Sequence, residues 1–415
     1  MLRVGLTGGI ACGKSHVVRR LAARGLATVD LDAVAHGLMA PGGAAYADVV
    51  AAFGPDIRAP DGTIDRKALG ARVFADPGAR ARIDALVHPR VRAAEVRRAA
   101  ARAAEGRPVL VSDAALLVEA GAHLRFDRLV VVHCPAEEQL RRLMRRDRIP
   151  EEAARARVRA QMPLEDKRRF AHAEIETSGT VTQTDAAADA LGESLLALAA
   201  LPRPRDAVPA GRRLGGLQEG GGGGPRGLDA AGLLEDALEA GGIELGRLAR
   251  RLAPPAGGAW YRAARADEGA PWPESLAVGL ALWAGHARQD ADWLVSAAAS
   301  LARLTHRGES EIAGACLAAL AARDVGLHGS LAAALARLPE WVPLARRWAG
   351  GEPPPRVAQA LEGAAAHPGD AGAARAAAQA RGASAGLAGG LVGLSATARS
   401  REPDPRLASL ARRLG

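Results

Sequence analysis

Lysine is almost missing from this chain. Among its 415 residues it occurs only at Lys14, Lys67 and Lys167, so arginine carries nearly all the positive charge behind a formal net charge of +9. Cysteine is just as scarce. Cys12, Cys134 and Cys316 stand far apart, with no C-x-x-C pair and no Cys/His ligand spacing. That pattern excludes a disulfide scaffold or a zinc site and suits a reducing cytoplasm, the expected location. Aromatic residues make up only 3% of the chain. No arginine cluster is interleaved with them, so a nucleic-acid partner is not expected, although the basic balance suits smaller polyanions such as nucleotides. No apolar run reaches the roughly 18 residues of a membrane span, because the alanine-rich stretches are punctuated by Arg, Asp and Glu. The first residues read directly as a strand, with no signal peptide, so a soluble protein without a membrane partner is expected. Oligomeric state is left open by all of this.

The length predicts two to three domains. Composition changes near residue 200. Pro202 to Arg226 holds Pro202, Pro204, Pro209 and the glycine run Gly220 to Gly224, the make-up of a flexible linker. The expected organisation is a first domain over 1–201, a linker over 202–226 and a second domain over 227–415. Strand-like runs at Leu2–Thr7, Leu26–Leu31, Pro108–Ser112 and Arg128–His133 alternate with helical stretches such as Pro89 to Glu105 and Glu137 to Arg146. Continuous apolar strands between helices predict an α/β fold with a parallel sheet covered by helices on both faces. Ligands of such sheets sit beyond the carboxyl ends of the strands, so chemistry is expected just after each one. Beyond the linker no strand pattern remains, and a mostly α-helical domain is expected.

Just after the first strand lies Gly8-Gly9-Ile10-Ala11-Cys12-Gly13-Lys14-Ser15. It fits G-x-x-x-x-G-K-S/T, the phosphate-binding loop of P-loop enzymes, with a strand before it and a helix from Ser15 to Ala23 after it. Backbone amides of such a loop turn toward a nucleotide's phosphates, helped by the positive end of the helix dipole. Lys14 reaches the β/γ oxygens in this reading, and Ser15 helps to hold Mg²⁺. In a chain that otherwise uses arginine, lysine here indicates the need for a compact point charge. Strand two runs into Asp30-Leu31-Asp32. Alternation would put both carboxylates on one side, where one could deprotonate an acceptor hydroxyl; a solvated loop pair or a helix cap is the other reading. Strand three ends at Asp113, placed either as a metal-side acid or as a cap for a following helix. Arg142 and Arg146, four apart, share a helical face that suits a lid over transferring phosphate, or a solvated basic helix. His88-Pro89 is read as opening a long helix, with His88 either structural or at a binding site.

Together these segments resemble the dephospho-CoA kinase family over residues 1 to about 200. The resemblance rests on Gly5-Leu6-Thr7-Gly8-Gly9-Ile10 leading into Gly13-Lys14-Ser15, on Asp30-Leu31-Asp32, and on Leu86-Val87-His88-Pro89-Arg90-Val91. It continues through Asp113 to Glu119, Gln139, Arg142-Leu143, Arg146-Asp147, Gln161-Met162-Pro163 and Lys167. It implies a P-loop fold with a helical lid, and ATP-dependent phosphorylation of the ribose 3′-hydroxyl of dephospho-CoA with Mg²⁺. By carry-over, Gly9, Ala11, Cys12, Gly13, Lys14, Ser15, His16 and Arg146 bind ATP. Lys14, Asp32 as general base, and Arg142 are catalytic; Asp30 and His88 lie on the acceptor side; Ser15 and Asp113 hold the metal.

Departures from the family pattern are Ala11 where Gly is usual, His16 for Thr, Ala115 in place of Pro, His172 for Asp and Thr177 for Asn. Ala11 is tolerated if its φ stays negative, whereas a positive φ costs on the order of 1 kcal/mol. The segment Ala171 to Gly179 is expected near the adenine, which makes ATP affinity the property these departures touch. Another small-molecule P-loop kinase, or a nucleotide-binding scaffold with decayed catalysis, are the alternative readings.

Residues 227–415 say less. Helical spacing recurs over Glu274 to Ala287 and Ile312 to Arg323. Ser275 to Trp283, followed by Leu304-Thr305-His306 and Glu311 to Ala322, looks like part of an ADP-ribosylglycohydrolase-type helical domain. That family's paired acidic motifs are missing, and Asp290 and Asp292 stand in the wrong surroundings. A non-catalytic relative or an unrelated helical domain is expected. All six tryptophans, Trp260, Trp272, Trp283, Trp293, Trp341 and Trp348, lie in this half, as core anchors.

Overall fold

The computed structural model describes residues 1–201, 290–303, 308–383 and 385–395, with Leu233, Ala237, Val278, Leu280, Ala281, Ser409 and Arg413. Five strands form one sheet: β1 Leu2–Gly8, β2 Ala27–Asp30, β3 Val109–Asp113, β4 Arg128–His133 and β5 Ala173–Glu176. All neighbours are parallel, in the order β2-β3-β1-β4-β5. The central strands β1, β3 and β4 are buried along almost their whole length, which is why they read as mainly apolar runs. The four expected strands are present, with ends shifted by a residue or so. β5 was not expected as a strand. It is an edge strand whose only apolar β-branched residue, Ile175, is also its only buried one, too short a signal to read from sequence.

Nine helices accompany the sheet among the described residues of this part: α1 Lys14–Ala23, α2 Leu31–Leu38, α3 Tyr46–Phe53, α4 Arg66–Ala75, α5 Pro77–Ala104, α6 Ala136–Asp147, α7 Glu151–Arg159, α8 Leu164–Arg168 and α9 Val181–Ala200. On one face, Val17 and Leu21 of α1 and Ala188 and Leu195 of α9 pack on Leu2, Val4 and Leu6 of β1 and on Val109, Val111, Val130 and Val132. Each of the buried valines and leucines contributes about 1.5–3 kcal/mol relative to exposure. Helix α5 lies on the other face. Its buried Glu95 accepts from Arg3 of β1 and from Ser112 of β3, both at 2.9 Å. A separate small core of Val49, Phe53, Ile57, Leu69 and Val87 binds α3, α4 and α5 to one another.

The expectation that Pro89 opens a helix is corrected. Helix α5 begins at Pro77, where Asp76 caps it by accepting from the Gly78 amide at 2.7 Å, and Pro89 lies inside it. The Asp-Pro-Gly start carries both the cap and the pre-set φ of a helix entry, and it outcompetes a proline later in the run. A proline there forfeits one intrahelical hydrogen bond.

The described residues divide into two compact units. One comprises Met1–Glu119 and Phe126–Leu201; the other contains Ala120–Arg125 and the helices beyond residue 290. Those helices are Ala291–Ala302, Glu309–His328, Leu331–Ala349, Arg356–Ala366, Ala371–Ala380 and Ala385–Leu394, with no strand among the described residues. The Glu309–His328 helix is buried on nearly every side, and most of its buried positions are small, six alanines and two glycines among fourteen, which lets neighbouring backbones come close. Trp293, Trp341 and Trp348 are buried core residues, as expected. Asp290 caps the first of these helices by accepting from the Trp293 amide, and Asp292 accepts from Trp348 Nε1 at 2.9 Å. Both carboxylates are therefore used structurally. The linker 202–226, Trp260, Trp272, Trp283 and the Leu304-Thr305-His306 segment lie outside the described residues, as does Ser275 to Trp283 apart from Val278, Leu280 and Ala281. Among the described residues, no helix is long and apolar enough to cross a membrane.

Candidate active site

The loop between β1 and α1 is shaped by close approach and by left-handed backbone. A Cβ on Gly8 would sit 2.3 Å from the Val132 carbonyl of β4, so only glycine lets the two strands run this close. Gly13, the N-cap of α1, has φ 81°, and Ala11 has φ 61°. Ala11 thus takes the conformation that costs an alanine on the order of 1 kcal/mol. Side chains hold the loop from both sides: Gln139 Nε2 donates to the Ile10 carbonyl at 2.9 Å, and Gln161 Oε1 accepts from the Ile10 amide at 2.8 Å. No acidic side chain occupies the first turn of α1, so the helix itself offers nothing that offsets the positive end of its dipole at Lys14 and Ser15.

Beside the loop, Lys14 Nζ pairs with Asp113 Oδ1. Strand register sets this up, since Asp113 lies opposite Leu6 of β1 on one side and Asp30 of β2 on the other. Burial pushes the Asp113 carboxyl above the usual carboxylate range; Lys14 opposes the rise, while Asp30 and Asp32 add to it. The three carboxylates therefore share one electrostatic environment at the carboxyl ends of β2 and β3. A turn follows Asp113 instead of a helix, which removes the capping alternative for that residue.

The alternation predicted for Asp30 and Asp32 is corrected. Strand β2 stops at Asp30, which caps α2 by accepting from the Ala33 amide at 2.8 Å, and Asp32 stands in the first turn of that helix. The capping preference of aspartate ended the strand one residue earlier than apolarity indicated. Asp32 is exposed and faces the loop after β3, where the Ala115 amide lies 3.4 Å from its Oδ2.

The two arginines expected in a lid fare differently. Arg142 of α6 donates to Glu138 at 2.5 Å, to the Thr177 hydroxyl at 3.0 Å and to the Thr177 carbonyl at 2.6 Å. Arg146, one turn on and more exposed, pairs with Asp147 at 2.7 Å. Thr177 is buried and donates its hydroxyl to the Cys12 carbonyl at 2.9 Å, so it sits under the phosphate loop. His172 lies at the β4–β5 junction and exchanges hydrogen bonds with Leu129, its Nδ1 accepting from the Leu129 amide at 3.0 Å. The His16 ring faces away from the loop toward α9, 2.7 Å from Asp185. His88 stands on α5 with Asp84 3.5 Å away.

A family model for dephospho-CoA kinase matches residues 2–183. Dephospho-CoA kinase of Anaeromyxobacter dehalogenans is 46% identical over 188 residues, covering 45% of this chain and 89% of that protein. The Geobacter sulfurreducens enzyme of the same name is 48% identical over 178 residues, covering 43% of this chain and 90% of its own length. The chain belongs to the dephospho-CoA kinase family. A Thermus thermophilus protein of known crystal structure is 32% identical with a TM-score of 0.42, covering 48% of this chain and 97% of that one.

Within this kinase unit, some residues that build the site carried no assigned role in the sequence. Gln139 and Gln161 clamp Ile10, as described. Lys167 is fully buried, its Nζ 2.8 Å from Glu119 Oε1 and donating to the Ala115 carbonyl at 3.0 Å. The same carbonyl accepts from Thr7 of β1 at 3.0 Å, so the segment following Asp113 is pinned from two sides. Lysine's rarity was the available signal for Lys167; for the glutamines there was only their place in the family pattern.

Proposed function

We propose that the unit around the β1–α1 loop transfers the γ-phosphoryl group of ATP to the ribose 3′-hydroxyl of dephospho-CoA. The observation that carries this reading is the convergence of Lys14, Asp113, Asp30 and Asp32 at the carboxyl ends of adjacent parallel strands, beside a phosphate loop. Loop amides and the dipole of α1 receive the triphosphate. Lys14 then exchanges Asp113 for β/γ oxygens as a point charge. Asp32, exposed at the mouth, accepts the proton of the acceptor hydroxyl, with Asp30 beside it orienting the start of α2. Arg142, already held against the loop through Thr177, neutralises charge as phosphate transfers. Arg146 is available to follow it, since it is more exposed and is paired with its sequence neighbour Asp147. His88 is the remaining acceptor-side candidate.

The donor set suits Mg²⁺ bound together with nucleotide. Ser15 offers a hydroxyl in the first turn of α1 and Asp113 a carboxylate on the adjoining strand. Among the described residues no group of three or more His, Cys, Asp or Glu side chains is placed to hold a metal. This ion ordinarily takes one or two protein ligands, substrate phosphates and water, so a protein cage is not required. When bound it supplies charge neutralisation across the β- and γ-phosphates. The small-molecule substrate of the family name supports this reading, and a cytoplasmic location is part of the same proposal.

The direct experiment supplies purified protein with ATP, Mg²⁺ and dephospho-CoA, with adenosine and shikimate as acceptor controls. Coenzyme A formation is expected with dephospho-CoA alone. ATP turnover on another acceptor without coenzyme A formation would refute the assignment.

A further inference from the structure

Cys12 and Cys134 are 122 positions apart in the chain, yet their sulfurs lie 3.3 Å from each other and both side chains are buried. Strand pairing causes this. Cys12 belongs to the loop after β1, Cys134 follows β4, and the two strands are parallel neighbours, so their carboxyl ends meet. A disulfide places its sulfurs at about 2.05 Å, so little more than an ångström of closure separates this contact from a bond. The two thiols are not equivalent. The hydrogen bond from Cys134 holds the Cys12 thiol below its ordinary range, with the Arg142 guanidinium acting in the same sense, while that hydrogen bond and burial push Cys134 up. Cys12 is therefore the better nucleophile and Cys134 the resolving partner.

We propose that Cys12 and Cys134 are an oxidative modification site, whose reversible disulfide closes the phosphate loop against nucleotide. The oxidant is a hydroperoxide. The Cys12 thiolate attacks one peroxide oxygen and the O–O bond breaks; the departing oxygen takes a proton and leaves as water or alcohol, giving a sulfenic acid on Cys12. The Cys134 sulfur then attacks that sulfur, the S–O bond breaks, and water leaves with the Cys134 proton. Two thiols are oxidised to one disulfide, and one hydroperoxide is reduced by two electrons.

The loop around Cys12 is ill suited to absorb the closure. Its neighbours Ala11 and Gly13 both hold left-handed backbone. Its sulfur lies 2.9 Å from where a Cβ on Gly9 would stand, and its carbonyl is held by Thr177. Drawing Cys12 toward β4 thus re-aims the amides on either side of it. The consequence for ATP rests on the proposed nucleotide site, whereas formation of the bond does not.

The experiment treats the full chain with hydrogen peroxide and follows two signals: peptide mapping under non-reducing conditions, and binding of a fluorescent ATP analogue. A linked Cys12–Cys134 peptide is expected, with analogue binding weakened at least about tenfold, the loss of one good contact. Dithiothreitol is expected to restore binding. Cys134→Ala and Cys134→Ser are expected to bind the analogue normally before oxidation and to yield no linked peptide after it. Cys316→Ala, altered at a buried thiol elsewhere, is expected to behave as the unmodified protein. Absence of the linked peptide would overturn the proposal, as would a linked protein that binds the analogue as tightly as the reduced one. Failure of the kinase reading shows separately, as reduced protein that makes no coenzyme A.

Discussion

Thr177, at the end of β5, donates its hydroxyl to the carbonyl of Cys12 over 2.9 Å while accepting from Arg142 at 3.0 Å. One hydroxyl thus joins the phosphate loop to the arginine most closely tied to it. Thr177→Val keeps the shape and removes both bonds, leaving a buried carbonyl and a guanidinium each short of a partner. Such losses cost about 1–3 kcal/mol. The KM for ATP is expected to rise roughly tenfold, with the KM for dephospho-CoA little changed, in steady-state kinetics.

In the proposed reaction Lys14 and Asp32 divide binding from chemistry. Lys14→Met removes the phosphate-directed charge and strips Asp113 of its counter-ion, so kcat/KM is expected to fall by about 10³ or more. Asp32→Asn retains the shape of an exposed helix-turn residue, so ATP affinity and melting temperature should stay near those of the parent. Its kcat is expected to drop by about 10²–10⁴, the usual worth of a general base. Near-normal turnover in Asp32→Asn would show that another group takes the proton.

Acid stability turns on the tie between α1 and α9. Arg20 donates to Asp189 at 2.6 and 2.7 Å, and Arg24 lies 2.8 Å away. Hydrogen bonds from Arg20 and then Arg24 hold the Asp189 carboxyl well below its ordinary value of 3.8. A carboxyl lowered by folding contributes stability that is present above pH 3.8 and lost as pH falls through the lowered value. Asp189→Asn is expected to lower the melting temperature at pH 7 and to narrow its gap from the parent toward pH 3, by thermal scans across that range.

Truncation after Leu201 removes the C-terminal helices but none of Lys14, Asp32, Asp113 or Arg142. The cut falls at the C-cap of α9, where no regular element is broken. The shortened protein is expected to form coenzyme A with a kcat within a few-fold of the full chain; complete loss would place part of the site beyond residue 201.

Much of this site could be read from the sequence because its parts are local. The phosphate loop is one continuous run whose glycines and lysine announce its geometry, and β1, β3 and β4 are buried along almost their whole length, so they are mainly apolar. Asp30 was harder to read. An aspartate at a strand end and one at a helix cap look alike in sequence, and the amide of Ala33 decided between them. β5 carries one buried apolar side chain and gave no periodic signal. Pro89 looked like a helix start because the competing start at Asp76-Pro77 precedes it by a dozen residues, and only packing of the intervening turns kept the helix continuous.

The sequence by itself determined the phosphate loop, the parallel strands and the family, since each depends on residue types at short, fixed spacings. Tertiary structure decided the rest. Order β2-β3-β1-β4-β5 brings Asp113 between Leu6 and Asp30 and sets Lys14 against it. It also brings together two cysteines that, read along the chain, stood too far apart to matter. Parallel strands align their carboxyl ends whatever the length of chain between them, and that alignment has no local trace in the sequence.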